Sequence, residues 1–201
     1  MDLNTLFSEP QIWLPLVVLF YCVLFILKTT TFKGKLGESI IKVNIRTYLD
    51  NHRYHILNNV TLPCAAGTFH IDHLIISIHG VFVIQTNSLK GWISGSVAEK
   101  NWTQKRLFGA HSFQNPLHDT ASQVSALEHV LELSTQQCFA LVVFVDESRF
   151  TTEMPDNVTQ GKSFIKYIQS KKACLLTEDQ VIHCLELINK VRLDKSRQRA
   201  I

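Results

Sequence analysis

The chain has 201 residues, 46% of them hydrophobic, and a formal net charge of +3 with neutral histidines. That length supports one full core with little room for a second domain. No internal repeat or low-complexity tract is present. The absence of G-x-G-x-x-G, P-loop, nucleophile-elbow and H-E-x-x-H signatures argues against nucleotide-binding, hydrolase and zinc-protease classes. The five cysteines are odd in number and show no CxxC pairing, so they read as reduced thiols, without a zinc site.

The first element is an uninterrupted apolar run, Ile12 to Leu27, bounded by Gln11 and Lys28. A helix crossing about 30 Å of hydrocarbon wants about 20 residues, with a lower limit near 17, so residues 12–28 are expected as one transmembrane anchor. A cleaved signal peptide would need a positive n-region, and the first 27 residues contain no Lys or Arg. Lys28, Lys33 and Lys35 follow the run, while only Asp2 and Glu9 precede it. Positive flanks stay inside, which predicts residues 1–11 as an extracytoplasmic stub and the rest as a cytoplasmic domain on the inner membrane. Beyond residue 27 there are 20 basic and 15 acidic residues, a surplus of five that suits an anionic partner, either nucleic acid or the inner leaflet.

Residues 29–33 are expected as a polar linker, residues 34–193 as the folded domain and 194–201 as a basic tail. Leu36, Ile40, Ile41, Val43, Thr47 and Tyr48 keep helical spacing, predicting an amphipathic helix over Leu36–Asp50 with Glu38 in its first turn. Tyr54 to Leu62 reads as a strand ended by Pro63. Ile71–Ile78 and Val81–Gln85 are β-branched and apolar, and His79-Gly80 between them is a turn signal, so the pair predicts a hairpin. Shorter strands are expected at Trp92–Val97 and around Trp102.

Asn115-Pro116 predicts a helix start, because Asn caps free amides and Pro at the first position lacks the amide that would go unpaired. Leu117, Ala121, Val124, Leu127 and Leu131 continue it. Cys138–Val145 is a continuous apolar run, the pattern of a central strand covered on both faces. Thr177-Glu178-Asp179-Gln180 is a capping box before a last helix through Val191. In order, these elements predict an α/β fold in which a mixed sheet is flanked by helices.

Six short motifs carry a family resemblance: Gly34-Lys35-Leu36-Gly37-Glu38, Ile71-Asp72-His73, Val83-Ile84-Gln85-Thr86-Asn87, Lys90-Gly91-Trp92, Trp102 and Asn115-Pro116-Leu117. In this order and at these spacings the chain resembles the nuclease-related domain, NERD, itself similar to the Mrr branch of the PD-(D/E)xK nucleases. The resemblance runs from about Gly34 to Leu133. It implies a restriction-endonuclease-like core behind the anchor. It also implies a Mg²⁺ or Mn²⁺ site formed by Asp72, residue 85 and the carbonyl of residue 86, with Glu38 approaching from the first helix and a Lys at position 87 orienting water. The family's Glu-x-Lys is here Gln85-Thr86-Asn87.

Gln85 still offers an amide oxygen, but the site loses a negative charge. Asn87 cannot supply a cation, and Lys90 is the candidate to reach in. The candidate catalytic set is therefore Asp72, Gln85, Asn87, Lys90 and Glu38, with Asp72, Gln85 and Glu38 as metal ligands if the site is active. Strand alternation puts His70 and Asp72 on one face and His73 on the other, which weakens a histidine-metal reading. Lys90, Lys100, Lys105 and Arg106 are candidate nucleic-acid contacts, DNA being the expected partner. Trp92 and Trp102 either stack on bases or fill the core. The expected protein is a membrane-anchored nuclease-related domain that binds or processes nucleic acid with activity weakened or lost. An active endonuclease and a protein-docking module on a dead nuclease fold are the alternatives.

Overall fold

The computed structural model describes residues 30–64, 67–145 and 147–193, and for residues 30–38 the backbone alone. The expected stub, anchor and basic tail lie outside the described residues. Among the described residues no helix is long and apolar enough to cross a membrane.

The elements are α1 (Thr30–Tyr48), β1 (His55–Cys64), β2 (Gly67–Ser77), β3 (Gly80–Asn87), β4 (Gly91–Ser94), β5 (Asn101–Arg106), β6 (Gly109–Gln114), α2 (Pro116–Leu131), β7 (Cys138–Phe144), β8 (Ser148–Phe150), β9 (Val158–Gln160), α3 (Ser163–Ser170) and α4 (Glu178–Val191). The expected linker is helical from Thr30 onward. Two sheets form, the first in the order β1-β2-β3-β7-β9 and the second β6-β5-β4-β8. In the first sheet β1, β2 and β3 run antiparallel, and β7 and β9 join parallel. The mixed α/β class predicted from sequence is what the chain adopts.

The central pair is β3 with β7, in register from Val81↔Cys138 to Asn87↔Phe144. Both strands are apolar on both faces because both faces are covered. On one side Val81 and Val83 pack with Val124, Leu127 and Leu131 of α2 and with Val181, Cys184 and Ile188 of α4. On the other, Phe82 and Ile84 pack with Ile41 and Ile45 of α1 and with Phe164, Ile165 and Ile168 of α3. In α1 the buried stripe is Ile41, Ile45 and Leu49, whereas Ile40, Val43 and Tyr48 face out. Of the predicted set Ile41 is buried and Ile40, Val43 and Tyr48 are not, since apolar residues stand on two faces of this helix and only sheet contact chooses between them.

The caps behave as their chemistry demands. Asn115 Oδ1 accepts from Leu117 N at 3.0 Å, and Thr177 and Gln180 form a reciprocal capping box. Asn115 is fully buried because its Nδ2 also donates to Glu99 O at 2.8 Å, tying the loop before β5 to the start of α2. Cys138 and Cys184 are core thiols as expected, and burial pushes the Cys138 thiol up to about 12; Cys174 is exposed. His73 is also buried, with Nδ1 2.7 Å from Asn58 Oδ1, and burial followed by the charge of Lys42 holds its imidazole down at about 4.

The second sheet packs its inner face, Ile93 and Trp102, onto Val142 and Phe144. Trp102 stacks on Phe144 with centroids 6.2 Å apart and donates Nε1–H to Ser96 O at 2.9 Å. Gly95 lies against that indole, and a Cβ there would sit 2.3 Å from Trp102 Cδ1. The indole is wedged and cannot retreat, so Gly95→Ala is expected to cost about 1–3 kcal/mol, the usual penalty of overpacking a filled core. Urea unfolding should show a lower midpoint at unchanged slope.

Candidate functional site

The second sheet grows from one end of the first. Only residues 88–90 separate the end of β3 from β4, and β8 follows the end of β7 as closely. At this shared carboxyl end, where open α/β sheets commonly bind ligands, the β2–β3 ladder stops at His73↔Ile84. The next residues along the two strands are Asp72 and Gln85.

Asp72 replaces the missing ladder bond with its side chain: Oδ2 accepts from Thr86 N at 2.8 Å. Its other oxygen, Oδ1, lies 3.8 Å from His70 Nε2. The Asp72 side chain is 20% exposed. Burial raises its pKa above the usual carboxylate value, against the lowering effects of the Thr86 N–H and of His70. Holding this carboxylate ionised therefore costs folding free energy, as is common where a side chain is placed for chemistry. His73 turns away to Asn58, in keeping with strand alternation.

Gln85 is half-buried beside α2. Thr120 Oγ1 lies 2.6 Å from Gln85 Oε1 and 2.8 Å from Pro116 O. One hydroxyl proton cannot serve two acceptors fully. Thr120 donating to Pro116 O, the common bond to the carbonyl four residues back, leaves Oγ1 as an acceptor. The consistent assignment turns the amide so that Gln85 Nε2 donates to Thr120 and Oε1 is released.

Asn87 and Lys90 are engaged elsewhere than at Asp72. Asn87 Oδ1 accepts from Leu89 N at 3.0 Å, a local turn at the strand end. Lys90 Nζ donates to Glu147 Oε1, so its ammonium is already paired. Glu38 lies on α1, and its side chain is outside the described residues. Lys100, Lys105 and Arg106 are exposed on or beside β5. Of the two tryptophans, Trp102 is fully buried and Trp92 is 42% exposed. Sequence reasoning missed Thr120. Thr120 sits on the core side of the Asn-Pro helix, where a hydroxyl needs a partner, but its partner lies 35 residues away.

For a divalent cation the donor set fits in kind. Mg²⁺ is commonly held by one or two carboxylates with waters and substrate phosphates completing the sphere, and Asp72 with a released Gln85 Oε1 supplies oxygen donors. Among the described residues no group of three or more His, Cys, Asp or Glu side chains is assembled for a metal.

A family profile described as nuclease-related domain matches residues 33–145. The chain belongs to that family. It is also 31% identical over 169 residues to an uncharacterized protein of Bacillus anthracis, covering 80% of this chain and 77% of the relative. No solved structure matches it.

Because the folded pKa of Asp72 is raised, its carboxyl binds a proton more readily folded than unfolded. The stability this contributes is complete below the unfolded value and is lost as pH rises through the folded one. Asp72→Asn keeps an oxygen for Thr86 N–H without the buried charge. The variant is expected to be the more stable form at neutral pH, with the gap closing as pH falls below the ordinary carboxylate range. Thermal or urea unfolding across that range checks it.

Proposed function

We propose that this is a membrane-anchored, nucleic-acid-binding member of the nuclease-related domain family, with a restriction-endonuclease-like core whose phosphodiester cleavage is weakened or lost. The observation that carries it is the Asp72 carboxylate, held on Thr86 N–H at the open end of the β2–β3 ladder and kept there against its burial cost. A divalent ion, when bound, would activate water and offset charge on the phosphate. Asp72 and Gln85 would hold it, with Glu38 of α1 as a further carboxylate.

Weakness follows from charge. Gln85 removes one carboxylate, Asn87 removes the cation, and Lys90 is engaged by Glu147. Among the described residues His70 is the basic side chain nearest Asp72. The basic surplus of the domain supports a polyanionic partner, and family membership supports nucleic acid.

The direct test is Gln85→Glu combined with Asn87→Lys in the full-length chain in detergent, with Mg²⁺ or Mn²⁺ against chelator. Cleavage of DNA should appear or rise by orders of magnitude, since such electrostatic groups are commonly worth several kcal/mol in the transition state. Adding Asp72→Ala should abolish the gain. A folded double variant without divalent-dependent cleavage would sink the metal reading. The Asn87 turn bond to Leu89 is lost in this variant, so its unfolding midpoint is measured alongside.

Anchoring is supported by the apolar run over residues 12–28 and by the lysines at 28, 33 and 35. Protease added to intact cells should leave the domain uncut. Digestion of the domain under those conditions would reverse the topology.

A further inference from the structure

The outer face of the second sheet has a composition its fold does not require. Trp92 pairs with Lys105 across β4–β5 and with Arg149 across β4–β8. Residues directly opposite in a sheet share a face, so the indole stands in a row between two cations. Neighbouring strands are about 4.8 Å apart, which spreads the two cations over roughly 10 Å with the ring midway. The alternate residues Ile93, Gln104 and Ser148 are buried on the inner face, so the outward direction of the row is unambiguous. Lys105 and Arg149 are exposed, and Trp92 is 42% exposed. The next row on the same face is Ser94, Thr103 and Ser112, three hydroxyls. The four strands together contain Lys105, Arg106, Arg149 and His111 and not one Asp or Glu, and Glu147, just before β8, is paired with Lys90.

The β5–β6 turn adds a second anomaly. Its two tip residues are Leu107 and Phe108, 84% and 100% exposed. Tight turns favour Asn, Asp, Gly or Ser. Neither tip residue takes the positive φ that a special turn would demand; Gly109 takes it, at 107°. Turn geometry therefore does not select Leu and Phe, and they bury nothing in the fold. Together with Lys90, Gly91, Trp92 and Arg106 they line an open cleft of about 540 Å³ beside the cationic row. Exposed apolar groups rimmed by polar ones mark interaction sites.

We propose that this face is a stacking platform for single-stranded nucleic acid, with Trp92 holding one unpaired base, Phe108 a second, and Lys105 and Arg149 the flanking phosphates. The proposal rests on the nucleic-acid reading above and names its substrate class. An isolated ring between cations matches the alternation of base and phosphate along a single strand, and such platforms bind by stacking plus a charged groove. A duplex keeps its base faces stacked on one another and offers none to Trp92. An anionic lipid surface would meet the cations too, but the hydroxyl row beside Trp92 is suited to hydrogen bonding rather than to burial in acyl chains.

The test uses the full-length chain in detergent micelles, without divalent ions, titrated with labelled oligothymidylate, with a blunt duplex of equal length and with glycerophosphate as a soluble lipid-headgroup probe. Oligothymidylate should bind more tightly than duplex. Trp92→Leu should weaken that binding about 5- to 150-fold, the span measured for loss of one base–aromatic stack, while Trp92→Phe retains most of it. Phe108→Ala lies at a fully exposed turn position, so it serves as the variant that leaves folding untouched; it should weaken binding in the same direction. Lys105→Ala with Arg149→Ala should lower the slope of log affinity against log salt by about 1.4, two single-strand phosphates at about 0.7 each. Unchanged affinity in both aromatic variants, or tighter binding of duplex, would overturn the platform and leave nucleic-acid binding standing. Binding of glycerophosphate but of no nucleic acid, or of neither, even at low salt, would overturn both readings.

Discussion

The parallel pairing of β3 with β7 is the constraint from which the architecture follows. Val81–Ile84 and Leu141–Phe144 are fully buried, so every backbone polar group along them must find its partner in a ladder, and every side chain must be covered from above or below. The ladders are supplied by β2 on one edge and β9 on the other. The cover is supplied by α2 and α4 on one face and by α1 and α3 on the other. Both central strands then discharge their chains at the same end, and the second sheet is assembled from what they deliver.

That shared end is also where the ladder rules relax. Beyond His73↔Ile84 the backbone of β2 no longer pairs with β3, and the Asp72 carboxylate takes the Thr86 amide in place of a carbonyl. A main-chain acceptor would have satisfied Thr86 with no charge to bury. The carboxylate satisfies it at the cost that burial puts on its ionisation, a cost the Thr86 N–H and His70 offset only in part. Asn here would keep an oxygen for the Thr86 N–H without a charge to bury. Gln85, facing Thr120 at the same ladder end, keeps an oxygen and carries no charge.

The family motifs sort by structural duty once their contacts are known. Asn115 ties the 96–99 loop to the start of α2 and is buried with its hydrogen bonds made, and Trp102 is the keystone of the second sheet. Both serve the fold through these contacts. Asp72 and Gln85 are the members that stand at the open ladder end. Lys90 and Glu147 form an exposed pair whose worth to stability is small. Burial also lowers nothing about Glu147; its pKa falls because the Lys90 ammonium bonds to it.

Much of this was legible in the chain itself. The hairpin over β2 and β3, the central strand at β7, the Asn-Pro helix start and the Thr177 capping box are local signals: alternation, an apolar run, a cap whose side chain bonds two or three residues away. Local signals survive in sequence because their partners are neighbours. The short strands β8 and β9 and the helix Ser163–Ser170 were not legible, since three-residue strands carry no periodicity and exist by pairing with strands far along the chain; β6, Gly109–Gln114, was missed because its residues carry no alternating apolar pattern. The phase of α1 was likewise decided by the sheet, which chose Ile41 and Ile45 over Ile40 and Val43. Trp92 and Trp102 show the limit most plainly. In sequence both are aromatic residues of short strands, and only the register of β4 against β5 and β8 turns one into the core and leaves the other between two cations. Composition and motif determined the family and the identity of the chemical groups; tertiary pairing determined which of those groups face solvent together, because facing is a property of strands that meet and not of residues that follow one another.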